Sequence, residues 1–274
     1  MTGSVSGPVG VEVRRDRLAA TDAAAATMRR TAFPTITREP NGCTVVLMDR
    51  AGRTMSGSRA GLPAFAALMS SLTEPVLERL PAHDLQDGDT GIANDPWIVV
   101  IRNDPWIATG HLSDIAMISP VFHRGRLVAF AGTVAHSPDI GGTPSTNATE
   151  LPCEGILIPS PRLFLAGRVE QVVTDLLWVN VRRADQVWAD LEAQAAAHAV
   201  CRRRAQECPT DFREPDFEAF APQVHAVTDA AMRGGVRDLP DGVHRAAPDA
   251  DGADDHPTRT IRRLPSMVAE GGPV

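Results

Sequence analysis

The residues of this chain best suited to chemistry are His111, Asp114 and His136. The first two form a His-x-x-Asp pattern in Gly110-His111-Leu112-Ser113-Asp114, and the third opens His136-Ser137-Pro138-Asp139-Ile140-Gly141-Gly142. Imidazole nitrogen and carboxylate oxygen are ligands for Zn, Mn or Fe, and three protein ligands leave a position open for water or a substrate oxygen. A divalent metal held there would acidify that water or polarise a carbonyl group. The pattern alone is weak, because His-x-x-Asp arises by chance in a chain with eight histidines. The remaining six, His83, His123, His198, His225, His244 and His256, show no ligand spacing.

Position strengthens the pattern. Ile115 to Phe122 and Leu127 to Ala135 are apolar runs joined by the Gly-containing connection His123-Arg124-Gly125-Arg126, which predicts a hairpin. Such a hairpin returns His136 to the end of the strand from which His111 set out. Trp97 to Ile101 predicts another strand, and Cys43 to Asp49 a strand ended by the turn Asp49-Arg50-Ala51-Gly52-Arg53. Val11 to Thr31, Pro63 to Leu80 and Asp185 to Gln206 carry helical apolar spacing, and Val169 to Asn180 suits either a strand or the turn into a helix. The expected class is α+β, a mixed β-sheet core with flanking helices. From Glu207 onward the segment rich in Pro, Gly and Asp predicts extended or poorly ordered chain. The division is thus residues 11–206, carrying the candidate metal site, and residues 207–274.

Other groups nearby have two readings each. Asp139 suits a fourth ligand or a partner that orients His136, and equally an Asx turn ahead of Gly141-Gly142. The Gly pair suits an anion-facing loop or a plain one. Glu154, in Leu151-Pro152-Cys153-Glu154-Gly155-Ile156, is a loop carboxylate whose default is a solvated surface. Asn103-Asp104-Pro105-Trp106-Ile107 repeats Asn94-Asp95-Pro96-Trp97-Ile98, but only the second copy runs on into His111 and Asp114. It has turn composition, and its Trp106 is expected to be buried packing.

Composition excludes several functions. All 27 basic residues are Arg, so a phosphate loop that needs Lys and Schiff-base catalysis cannot be built from this chain, and no Tyr can serve as acid or base. A net charge of −7 without a basic face argues against nucleic acid. Four cysteines without CxxC spacing suit reduced, cytoplasmic thiols, and no apolar run reaches the roughly 20 residues that span a bilayer.

The run from Asn103 to Gly142 strongly resembles the hydantoinase B/oxoprolinase family, the B-type subunits of ATP-dependent hydantoinases, oxoprolinases and acetone or acetophenone carboxylases. Arg30-Thr31-Ala32-Phe33, Asp49 to Arg53, Glu154 to Pro159, Asn180-Val181-Arg182 and Leu239-Pro240-Asp241-Gly242 are similar to further landmarks in the same order. The resemblance implies a metal, manganese-type in the carboxylase branch, on His111, Asp114 and His136; beside it, Glu154 is the candidate base. It implies an A-type partner subunit that handles ATP and a B-type site that completes hydrolysis of a cyclic amide. A carboxylase acting on a ketone is the alternative, and a non-catalytic remnant or assembly fragment the other. Family members are considerably longer, so this chain is expected to be a truncated form that corresponds to the N-terminal half. It departs from the hydantoinase branch at Ser137-Pro138, where a second His is frequent, and at Cys153, where paired Glu is frequent.

Overall fold

The computed structural model describes residues 19–32, 42–79, 99–107, 110–123, 126–143, 148–159, 162–165, 168–212, 217–218, 220–238, 243–244 and 267–268. The chain divides into two compact units, Met1–Val224 and His225–Val274. The first unit is built on a seven-stranded sheet of order β2-β1-β5-β4-β3-β6-β7. Its strands are β1 Cys43–Met48, β2 Thr54–Gly57, β3 Val99–Arg102, β4 Asp114–His123, β5 Arg126–His136, β6 Arg162–Leu165 and β7 Arg168–Val169. Every pairing in it is antiparallel. The described helices of this unit are α1 Ala20–Thr31, α2 Pro63–Arg79, the single turn α3 Leu151–Glu154, α4 Gln171–Asn180 and α5 Ala184–Phe212, with α6 Ala221–Arg237 crossing into the second. The α+β class and the flanking helices are therefore as the sequence implies. In the second unit, β8 Val243–His244 pairs with β9 Met267–Val268.

β4 and β5 read as near-continuous apolar runs because the sheet is covered on both faces. Alternation sends Val100, Ala116, Ile118, Phe130 and Val134 to one side, where they pack with Met69, Leu72 and Val76 of α2. Ile101, Ile115 and Met117 go to the other, against Leu177 of α4 and Val187 and Leu191 of α5. A Cβ on Gly132 in mid-β5 would lie 2.4 Å from Met69 Cε, so the end of this α2 methionine side chain fills the space that glycine leaves over the strand. Asp49 closes the β1–β2 turn by accepting the N–H groups of Ala51 and Arg53 at 2.9 and 2.8 Å.

The α5 side of the sheet also holds a polar layer. His198, fully buried, bonds through Nδ1 to Ser119 Oγ at 2.6 Å and through Nε2 to Thr133 Oγ1 at 3.0 Å, and Thr133 also donates to Gln194 at 2.8 Å. Burial, helped by the nearby Arg202 charge, pushes the imidazole down to about 3. The unfolded chain takes up this proton below the ordinary value of about 6.5, and the folded chain cannot. Stability is therefore complete above that value and is expected to fall by about 1.4 kcal/mol for each pH unit below it, down to about 3. Denaturant melts at neutral pH and through the acid range check this; an equal slope in His198→Gln would refute it.

Several secondary-structure expectations need revision. Helix α5 runs on to Phe212, and Ala221–Arg237 is a further helix, where extended chain was expected from Glu207. Pro222 is the reason it is tolerated: it occupies the first turn of α6, where no intrahelical N–H bond is needed. Val169 to Asn180 resolves into both alternatives, the end of β7 and then α4. Val11 to Leu18, the first Asn-Asp-Pro-Trp-Ile copy and Leu239 to Gly242 lie outside the described residues.

Candidate metal centre

The β4–β5 hairpin register sets Asp114 directly opposite His136, at the open end of the pair. Their side chains share a face, and the ladder continues past them through Ser137 N–H to Ser113 C=O at 2.6 Å. His111 precedes β4 by one tight turn. Asp114 Oδ1 lies 2.9 Å from His136 Nδ1, and Oδ2 lies 3.4 Å from His111 Nε2. The two imidazoles meet edge to face with centroids 5.2 Å apart. The Asp114 side chain is 2 % exposed, whereas His111 and His136 are 45 % and 30 % exposed, so a buried anion is fronted by two imidazoles that solvent reaches.

One donor atom from each of the three residues lies within 4.8 Å of the others, the set His111, Asp114 and His136. Two neutral nitrogens and one anionic oxygen, converging with an open side, fit a divalent cation of the Mn, Fe or Zn kind.

Glu154 is brought beside this set. Its Oε2 accepts the N–H of Leu112, between His111 and Asp114, at 3.1 Å. The Gly pair explains how: Gly141 bridges Gly155 in antiparallel fashion, and Ile156 N–H donates to Ile140 C=O at 2.9 Å. A Cβ on Gly142 would sit 2.1 Å from the Glu154 carbonyl carbon. These glycines permit close backbone approach to the Glu154 segment.

Asp139 has a job of its own. Its Oδ1 accepts Gly141 N–H at 2.9 Å, which is the Asx turn, and Oδ2 accepts the backbone N–H of Arg182 and, at 3.1 Å, that of Arg183, the residues leading into α5. The Arg182 guanidinium adds a 3.1 Å contact. Burial alone would raise this carboxyl, but the three backbone N–H groups and the Arg182 charge outweigh it and hold Asp139 below the usual carboxylate range.

Sequence reasoning missed two features. Asn103 is buried and hydrogen-bonded on both sides of its amide, which turn composition did not reveal. Trp106 is 85 % exposed, not buried packing, because the turn fixed by Asp104 Oδ1 on Trp106 N–H at 3.1 Å holds it outward. A cavity of about 390 Å³ lies at the other end of the hairpin, by Asp49, Leu127 and Phe217. Its ionic groups pair among themselves, Arg53 with Asp49 at 2.8 Å and Arg50 with Glu218 at 3.9 Å.

The model of the hydantoinase B/oxoprolinase family matches residues 7–263. The chain belongs to this family. It is 32 % identical over 165 residues to the beta chain of the caprolactamase of Pseudomonas jessenii, covering 59 % of this chain and 27 % of that protein. It is 26 % identical over 254 residues to the B component of a putative D-/L-hydantoinase of Pseudomonas sp. strain NS671, covering 89 % of this chain and 41 % of that one. The fold matches the crystal structure of the ATP-dependent caprolactamase from Pseudomonas jessenii with a TM-score of 0.73 at 23 % identity, over 94 % of this chain and 43 % of the other. This family member thus spans less than half the length of these relatives. Among the described residues, no helix is long and apolar enough to cross a membrane.

Proposed function

We propose that this chain acts as the B-type component, or a portion of one, of an ATP-dependent hydantoinase/oxoprolinase complex that hydrolyses a cyclic amide. The observation that carries the reading is the convergence of His111, Asp114 and His136 within 4.8 Å at the open end of the β4–β5 hairpin, in a chain of this family. These three residues would hold a divalent metal, which supplies Lewis-acid polarisation of a carbonyl oxygen and acidifies water. Asp114 contributes the negative charge, and the exposed faces of His111 and His136 leave the approach to substrate open. Glu154 is the base: with Oε2 on Leu112 N–H, its second carboxylate oxygen can take a proton from attacking water.

ATP is handled by an A-type partner subunit, since this chain has no Lys with which to build a phosphate loop. The complex is placed in the cytoplasm, where ATP is supplied. The test combines the purified chain with an A-type partner and offers caprolactam, hydantoin or 5-oxoproline with ATP. Ring opening is expected with both proteins present, none with this chain alone, and none when His136→Ala replaces it. Turnover by this chain alone would overturn the division of labour. Bicarbonate-dependent carboxylation of a ketone in place of ring opening would assign the carboxylase reaction instead.

A further inference from the structure

Leu112, between the two ligands His111 and Asp114, has a fully buried side chain, and side chains from elsewhere hold both of its backbone polar groups. Its N–H donates to Glu154, and its C=O accepts from Asn103 Nδ2 at 2.8 Å. The other Nδ2 hydrogen of Asn103 goes to Ile156 C=O at 2.8 Å, and Oδ1 accepts Ile158 N–H at 2.6 Å. Two carbonyl acceptors on one side and an N–H donor on the other leave only one orientation of the amide that satisfies all three bonds. One side chain, 1 % exposed, therefore fastens the His-x-x-Asp loop to the segment that follows Glu154.

We propose that Asn103 is the positioning residue of the metal centre: it holds the loop bearing His111 and Asp114 at a fixed distance from Glu154 and so sets the affinity for a divalent cation. The inference rests on the metal reading above. Gly110 is exposed, adopts φ +83°, and an added Cβ there would meet nothing within 4 Å. Through Leu112, Asn103 ties the loop on the C-terminal side of His111. Ligands locked before the ion arrives do not have to be ordered by it, and so bind it more tightly.

The experiment measures Mn²⁺ affinity, by competition with a chelator, for the wild type, Asn103→Ala and the volume-conserving Asn103→Asp. Amide hydrogen exchange is followed in the metal-free proteins. Both variants are expected to weaken Mn²⁺ binding by ~10–100-fold, as loss of a partner that orients a ligand does elsewhere. Exchange should speed up at Leu112 while the amides of β5 and α5 keep wild-type protection. Should Asn103→Ala fail to fold, Asn103→Asp decides. Wild-type affinity in the variants overturns the proposal and leaves the metal reading standing. Weaker binding with protection lost across the whole sheet also overturns it, since Asn103 would then be merely structural. If the wild type itself takes up no Mn²⁺, the metal reading fails and the proposal falls with it.

Discussion

Replacing Asp114 with Asn is expected to abolish divalent-metal retention while leaving the fold in place. Asp114 is the only anion among the three donors, and each of its oxygens faces one imidazole, at 2.9 and 3.4 Å. An amide of the same shape removes the charge that neutralises the cation and offers a weaker oxygen ligand. It also turns a hydrogen-donating NH₂ toward one of the two positions that a carboxylate fills with acceptors. Where loss of an outer partner costs about 10–100-fold in metal affinity, loss of the anionic ligand should exceed 100-fold. Stability should barely change, because the β4–β5 pairing from Ile115 to His123 is untouched. Metal content after dialysis against buffered Mn²⁺ or Zn²⁺, with thermal melts of the metal-free proteins, provides the check. Equal metal content in wild type and variant would remove Asp114 from the ligand set.

Asp139→Ala should do the reverse, costing stability before it costs metal. The substitution strips the acceptor from three backbone N–H groups, those of Gly141, Arg182 and Arg183, at a junction where the side chain is only 8 % exposed. Each stranded donor costs about 1–3 kcal/mol, and water can reach part of this junction, so a loss of about 3 kcal/mol is expected. That corresponds to ~6–12 °C in a domain of this size. Because the native carboxyl is held below its ordinary range, its contribution is present above the unfolded pKa of about 3.9 and is lost as pH falls through the lowered native value. Asp139→Asn keeps an acceptor for one or two of these donors but removes the charge. It should therefore flatten this acid limb, which begins at about 3.9, inside the lower part of the window in which His198 acts. An acid limb of unchanged size in Asp139→Asn would show that this carboxylate does not carry it.

The hairpin and the approach of Asp114 to His136 at its open end were legible because they depend on near neighbours in sequence. An apolar run, a short Gly-containing turn and a second apolar run leave few alternatives, and the pairing of Asp114 with His136 follows from their lengths. Helix α5 was legible from its apolar repeat. What stayed hidden depends on partners far along the chain. Asn103 bonds to Ile156 and Ile158, more than fifty residues on, and in sequence it looks like any Asn opening a turn before Asp-Pro. Asp139 disclosed its local bond to Gly141 through turn chemistry, whereas its bonds to Arg182 and Arg183 required the tertiary fold. Trp106 was misjudged by a burial preference that a local Asp104 turn overrides. Helix α6 was hidden by the prolines at and before its start, which weigh against a helix by count, but the one it contains, Pro222, stands in the first turn.

The strand order has a consequence for how this protein can meet others. Among the described strands, the two that end the sheet are β2, four residues long, and β7, two residues long. The long strands β4 and β5 lie inside, each with neighbours on both sides. Free backbone groups at a sheet margin are what recruits a foreign strand or seeds fibrils, and margins this brief offer almost nothing to zip against. The described margins of the sheet thus favour recognition by side-chain shape and charge over backbone stacking.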